Sequence, residues 1–137
     1  MGCSSTLKDI ESAFMKRIDV VCGVVINDDG EYLITQRGGG KFSGKWEFAG
    51  GKLKSNETPF DAIKRELYEE LNINVRPVRE LFTSTYKSYN LIFIECKVIS
   101  GKIILREHQR YDWVNKGRLI EFEFLEGDIE FINHLCL

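Results

Sequence analysis

The chain has 137 residues, 43% of them hydrophobic and 29% charged, and a net charge of −2. That composition fits one globular domain with a real core, and the lack of a basic surplus argues against a nucleic-acid duplex as partner. No apolar run reaches the roughly 18 residues of a membrane-spanning helix, so no membrane partner is expected.

The opening "MGCSST" formally fits a myristoylation pattern with Gly2 as acceptor and Cys3 as a palmitoyl site. Such short patterns recur by chance, and a plain leader is the preferred reading. Residues 1–16 read as an N-terminal extension, either disordered or a short helix with Leu7, Ile10 and Phe14 on one side. Residues 17–137 read as the domain. "IDVVCGVVI", 18–26, is the first strand, "NDDG" a turn and "EYLITQR", 31–37, its partner, which predicts a hairpin. "GGGKFSGK", 38–45, is a loop, and "WEF", 46–48, a short strand that runs into a Gly50-Gly51-Lys52 turn.

A helix is predicted next. Thr58 suits the N-cap, Pro59 the first helical position and Asp61 the positive first turn. Phe60, Ile63, Leu67 and Leu71 form an apolar stripe, and Asn72 suits a left-handed cap. Strand-like segments follow at 74–86, 90–99, 102–105 and 111–114, with a closing helix at 126–135. This order predicts an α/β (α+β) fold, a mixed sheet sandwiched between helices. Trp46 and Trp113 read as core packing. His108 and His134, two and far apart, read as core or surface residues and not as metal ligands. The four cysteines form no C-x-x-C pair. Cys22 and Cys96 read as small buried hydrophobes, and a reducing cytoplasm is the expected location.

The chemistry concentrates on the first helix. Glu66, Glu69 and Glu70 share a face beside the stripe at 100° per residue, and Glu66 and Glu70 are an i, i+4 like-charge pair. Such a pair costs about 0.2–0.5 kcal/mol when exposed and more when partly buried. A hard divalent cation, Mg²⁺ or Mn²⁺, offsets that cost with oxygen ligands. The plainer reading is a solvated acidic face with an Arg65–Glu69 bridge. The preceding context favours the cation. Two glycines let backbone approach a ligand, Lys52 supplies a charge for phosphate, and Glu57 adds a carboxylate.

Gly51, five residues, Glu57, seven residues, Arg65-Glu66-Leu67-Tyr68-Glu69-Glu70, one residue, then Asn72 and Ile73 together resemble the signature box of the Nudix family. Asn72 stands where the family has glycine, and asparagine tolerates the same backbone region. "GKWEFAGGK" is similar to the "WEFPGGK" of the MutT-like branch, with Ala49 in place of proline; "YLITQR" and "REHQRYDWV" also resemble that branch. The likeness spans roughly residues 18–135 and is strongest at 44–73.

The resemblance implies that Glu66, Glu69 and Glu70 bind divalent metal with the Gly50 carbonyl. Glu107 approaches the metal or the attacking water. Glu57 and Arg65 orient the box. Arg37 and Lys52 lie near substrate phosphates and sugar, Tyr86 near the nucleotide, and Asp128 where the branch reads the base, the plainer alternative for Asp128 being a helix N-cap. Glu66, then Glu107, is the expected general base.

The implied protein is a Mg²⁺-dependent nucleoside triphosphate pyrophosphohydrolase acting on a small nucleotide. An oxidised purine triphosphate such as 8-oxo-dGTP is the first expected substrate, and CTP or 5-methyl-dCTP the second. A silent Nudix-fold regulator is the rival from another class, and the intact acidic set counts against it. Oligomeric state is left open between monomer and homodimer.

Overall fold

A computed structural model describes residues 17–136. The expected N-terminal helix and the Gly2 pattern lie outside the described residues. Seven strands run in chain order: β1 (Ile18–Val25), β2 (Tyr32–Arg37), β3 (Trp46–Glu47), β4 (Gly50–Lys52), β5 (Asn74–Tyr86), β6 (Tyr89–Ser100) and β7 (His108–Val114). Helix α1 (Pro59–Leu71) follows β4, and a 3-10 turn (Lys116–Glu121) and helix α2 (Glu126–Leu135) close the chain. One sheet has the order β4-β1-β6-β5, the other β3-β2-β7.

β1 lies inside the larger sheet, parallel to β6 and antiparallel to β4. Both of its faces are covered, as expected of a strand with a near-continuous apolar run. Val21 and Val25 join α1 through Ala62, Ile63, Leu67 and Leu71. Cys22 and Val24 face the opposite way, toward Phe93, Phe131 and the second sheet. The mixed sheet is thus sandwiched between α1 and α2, as the sequence led us to expect. Gly23 is required on the α1 face, because a Cβ there would lie 2.9 Å from a Leu67 methyl. On the other face Phe48, Phe93 and Phe131 build an aromatic core, with Phe93 and Phe131 stacked at 4.4 Å.

The cap signals of α1 act as read. Thr58 Oγ1 accepts from the Asp61 amide at 3.1 Å, Pro59 opens the helix, and Asn72 closes it at φ 62° and ψ 26°. Burial of Ile63, Leu67 and Leu71, all fully covered, contributes about 1.5–3 kcal/mol each.

Four expectations need correction. β1 and β2 are not a hairpin: they share one bridge, Ile26 with Tyr32, and then enter different sheets. The reason is that β1 already has a partner on each side. Gly50-Gly51-Lys52 is not a turn but strand β4, hydrogen-bonded to β1. Residues 102–105 form no ladder. The Ile104 N–H of this segment donates to the Leu71 carbonyl at the end of α1, and the Arg106 N–H just beyond it donates to that of Glu70. Phe60 leaves the stripe and is 40% exposed. It stands on the rim of a cavity of about 350 Å³ with Thr58, Pro59, Glu80, Ile92 and Ile94, and Ala62 takes the buried place in the first turns.

Cys22 and Cys96 are free and buried, as expected, and burial pushes both thiols up, Cys96 to about 12. Trp46 packs edge-on to Phe122 at 5.1 Å, and Trp113 is partly buried against the α1 core.

Candidate active site

β4 and α1 meet where Glu66 lies on Gly51. A Cβ added to Gly51 would sit 2.5 Å from the Glu66 carboxyl carbon and 2.6 and 2.7 Å from its oxygens. Neither Gly50 nor Gly51 has a positive φ. Glycine is required there by close approach and not by backbone conformation. At Gly50 an added Cβ would meet the Val21 carbonyl oxygen at 1.8 Å.

Arg65 organises the entry to the helix. Its guanidinium donates to both oxygens of Glu57, at 2.5 and 2.9 Å, and to the Lys52 carbonyl at 3.1 Å. It also donates to Glu66 at 2.8 Å and Glu69 at 3.0 Å. The bridge to Glu69 predicted by spacing is present, but it belongs to a network of three carboxylates. The Arg65 side-chain hydrogen bond holds Glu57 down to about 2, and Glu57 and Glu66 raise Arg65 in turn.

The three helix carboxylates differ. The Glu69 side chain is 52% exposed. Glu66 is half-buried, and Glu70 is buried with Oε2 lacking any hydrogen-bond partner. Burial first, then the charges of Glu66, Glu47 and Glu107, raises Glu70 well above the carboxylate range. A simple solvated face does not account for this, because a surface glutamate would turn outward to water.

Glu107 is exposed just before β7, yet near enough to repel Glu70. Among the described residues, no three His, Cys, Asp or Glu side chains already converge as a metal-ligand set. Arg65 engages Glu66 and Glu69, while Glu66 stays close enough to Glu70 to raise it. The donors nevertheless suit a hard divalent cation. They are carboxylate oxygens, and one is buried without a hydrogen-bond partner.

A second sheet edge supplies residues that sequence reasoning missed. Glu47 Oε2 lies 2.8 Å from His108 Nε2, and Glu47 Oε1 lies 3.4 Å from Arg37 Nε. His108 Nε2 is also 4.0 Å from Glu70 Oε1. His108 is a core residue, as expected, but its position beside Glu70 was not anticipated. One signal was available: Glu47 stands between two core aromatics, so strand alternation turns it to the opposite face. Arg106 was missed as well. It donates to the Tyr68 and Glu69 carbonyls at 3.2 Å, supplying the positive charge that the last turn of α1 lacks.

Asp128 and Tyr86 form a separate group at the start of α2. Leu125 is the N-cap, with no side-chain cap bond, so Asp128 is not a helix cap. The buried Asp128 carboxylate instead accepts from the Phe48 amide at 3.1 Å. Desolvation pushes it up to about 8 despite that bond. The Tyr86 hydroxyl donates to Glu126. Gly127 lets Leu91 and the Tyr86 ring approach, since a Cβ there would lie 3.0 Å from a Leu91 methyl and 3.7 Å from the ring. Lys52 is exposed at the end of β4. Its backbone is fixed by Arg65, and no ion pair of its ammonium is seen among the described residues.

A mixed sheet lies between two helices, and a glycine strand lies against a glutamate-rich helix whose Glu66 rests on Gly51. The NUDIX domain family matches residues 16–135, and the chain belongs to that family. It is 34% identical to an 8-oxo-dGTP diphosphatase of Haemophilus influenzae, over 88% of this chain and 92% of that protein. It is 32% identical to a CTP pyrophosphohydrolase of Escherichia coli, over 86% and 90%. Among solved structures it resembles a MutT from work on Aliivibrio salmonicida and Vibrio cholerae, with TM-score 0.73, 33% identity, and coverage of 88% of this chain and 97% of that one.

Proposed function

We propose that the protein is a Mg²⁺- or Mn²⁺-dependent nucleoside triphosphate pyrophosphohydrolase of the MutT-like type. It converts a triphosphate and water to a monophosphate and pyrophosphate. Membership of the Nudix hydrolase family and the activities named for two relatives support the reaction. The observation that carries the cation site is Glu70. A buried carboxylate with a free oxygen, pressed by like charges, is stabilised by a cation more than by any group around it.

Glu66, Glu69 and Glu70, with the Gly50 carbonyl and Glu107, are the residues assigned to hold that cation. When bound, a divalent cation neutralises polyphosphate charge and holds the attacking water in line. Glu66 accepts the water proton, with Glu107 the second candidate for that role. Arg65 and Glu57 fix the helix entrance against the strand. Arg37 and Lys52 meet phosphate and sugar, and Tyr86 and Asp128 wall the base.

8-oxo-dGTP is the first substrate of this reading. CTP is the second, favoured by one specific feature at alkaline pH: burial raises Asp128 to about 8, and only above that value is it an ionised, acceptor-only group that suits the cytosine amino group. The cytoplasm is the assigned place of action, consistent with two buried free cysteines. Among the described residues no helix is long and apolar enough to cross a membrane.

The test is phosphate release across a nucleotide panel with added pyrophosphatase. Activity should require Mg²⁺ or Mn²⁺ and leave the monophosphate. No release from any nucleotide with either metal would make the protein a binding module instead.

A further inference from the structure

The row of side chains that crosses the second sheet links the two halves of the site. The β2–β7 ladder shifts register between Gln36 and Arg37: Gln36 pairs with Arg110 and Arg37 with His108, so Gln109 of β7 is left unpaired. Such irregularities re-aim side chains. Here Arg37 and His108 both meet Glu47, which enters from β3 on the other side of β2. The His108 side chain is only 3% exposed and that of Glu47 13%. At 2.8 Å from a carboxylate, His108 Nε2 must carry a proton and donate it. That N–H is therefore committed to Glu47, although Glu70 Oε1 is 4.0 Å away. Two buried polar atoms remain without partners among the described residues, His108 Nδ1 and Glu70 Oε2.

From this geometry we infer that His108 is a positioning residue. Its bond to Glu47 fixes the carboxylate that steadies Arg37, and its ring walls Glu70 without satisfying it, so that Glu70 keeps an oxygen for a cation. A histidine donating to Glu70 would quench the ligand; an apolar residue at 108 would release Glu47 to swing. The inference rests on the proposed cation role of Glu70.

The test is Mn²⁺ binding to the nucleotide-free protein, followed by electron paramagnetic resonance, for wild type, His108→Leu and His108→Gln. Loss of an outer partner typically weakens a metal site about 10–100-fold. His108→Leu should fall in that range with a cooperative melt retained. His108→Gln, which can still donate to Glu47, should return to within about threefold of wild type. Should His108→Leu fail to fold, Glu47→Ala removes the same bond from an edge strand and should show the same loss. Unchanged Mn²⁺ affinity in the folded variant would overturn the inference while leaving nucleotide hydrolysis by the wild type intact. A wild type that neither binds Mn²⁺ nor hydrolyses nucleotides would instead overturn the functional reading, and the inference with it.

Discussion

Glu66 rests its carboxylate directly on the Cα of Gly51, with no room for a methyl group between strand and helix. Gly51→Ala forces the end of a flexible side chain to move, whereas Gly50→Ala drives a methyl into the Val21 backbone carbonyl. The two alanines should therefore separate activity from folding. Gly51→Ala should cost about 1–3 kcal/mol of stability and lower kcat at least about 10-fold, as displaced metal-site groups do. Gly50→Ala should cost considerably more stability, because backbone cannot yield so cheaply. Melting curves and kcat for the pair check this; equal melting points would show that the strand can shift.

Glu70→Gln tests the burial of like charge. A carboxyl raised by burial and by Glu66 is held protonated more readily in the folded chain than in the unfolded one. Its stabilising share is full at acid pH and is lost as pH rises through the folded value. A neutral glutamine escapes that loss. Glu70→Gln should melt higher than wild type, with a gap that widens toward alkaline pH, while kcat falls at least about 10²-fold. A variant that is fully active would remove Glu70 from the cation site.

The end of α1 combines backbone and side-chain effects. Asn72 adopts the left-handed conformation, and its amide donates to the Lys102 carbonyl at 3.1 Å and accepts from Arg106 at 2.9 Å. Asn72→Gly keeps the backbone but drops both bonds, each contributing about 0.5–1.5 kcal/mol. Relief of left-handed strain offsets part of that loss. The net result should be a loss of about 1 kcal/mol, and Asn72→Val should lose more, because a β-branched residue fits this region badly. Melting temperatures should rank Asn above Gly above Val. If valine matches glycine, the cap geometry is wrong.

The helix was legible because its signals are local. Thr58, Pro59, Asp61 and Asn72 act within a turn of where they stand, and the box spacing follows the helical period. What was not legible depends on distant partners. The break between β1 and β2 follows from the parallel pairing of β1 with β6, some seventy residues on. The strand-like segment at 102–105 became a cap because the Leu71 carbonyl of α1 competed for its Ile104 amide. Glu47 and His108 are 61 positions apart, and only the β3-β2-β7 order brings them together. Asp128 reads like a cap in sequence, but its carboxylate was claimed by Phe48 in another element.

Asp128 provides the last prediction, in which pH and substrate choice are linked. Burial sets its carboxyl at about 8. Near neutral pH the folded protein therefore holds it largely neutral, with one oxygen accepting from Phe48 N–H and the other able to donate. Above that value it is an acceptor only. Because the folded value lies above the unfolded one, its stabilising share is complete below the ordinary carboxylate range. It is lost as pH rises toward about 8. Asp128→Asn fixes a donor and an acceptor at nearly constant volume, so it should flatten that part of the stability–pH curve and melt higher at alkaline pH. It should also behave at every pH like wild type at neutral pH. In wild type, raising the pH should shift preference toward substrates that offer amino hydrogens, such as CTP. The relative kcat/KM for CTP, dGTP and 8-oxo-dGTP should move by about 1–3 kcal/mol, the scale of an unpaired buried polar group. Asp128→Asn should show no such drift, while some triphosphate is still cleaved because the phosphate end of the site is untouched. The measurement is kcat/KM for the three nucleotides at neutral and alkaline pH in both proteins. Identical profiles throughout would leave Asp128 as a brace for the β3–β4 loop and nothing more.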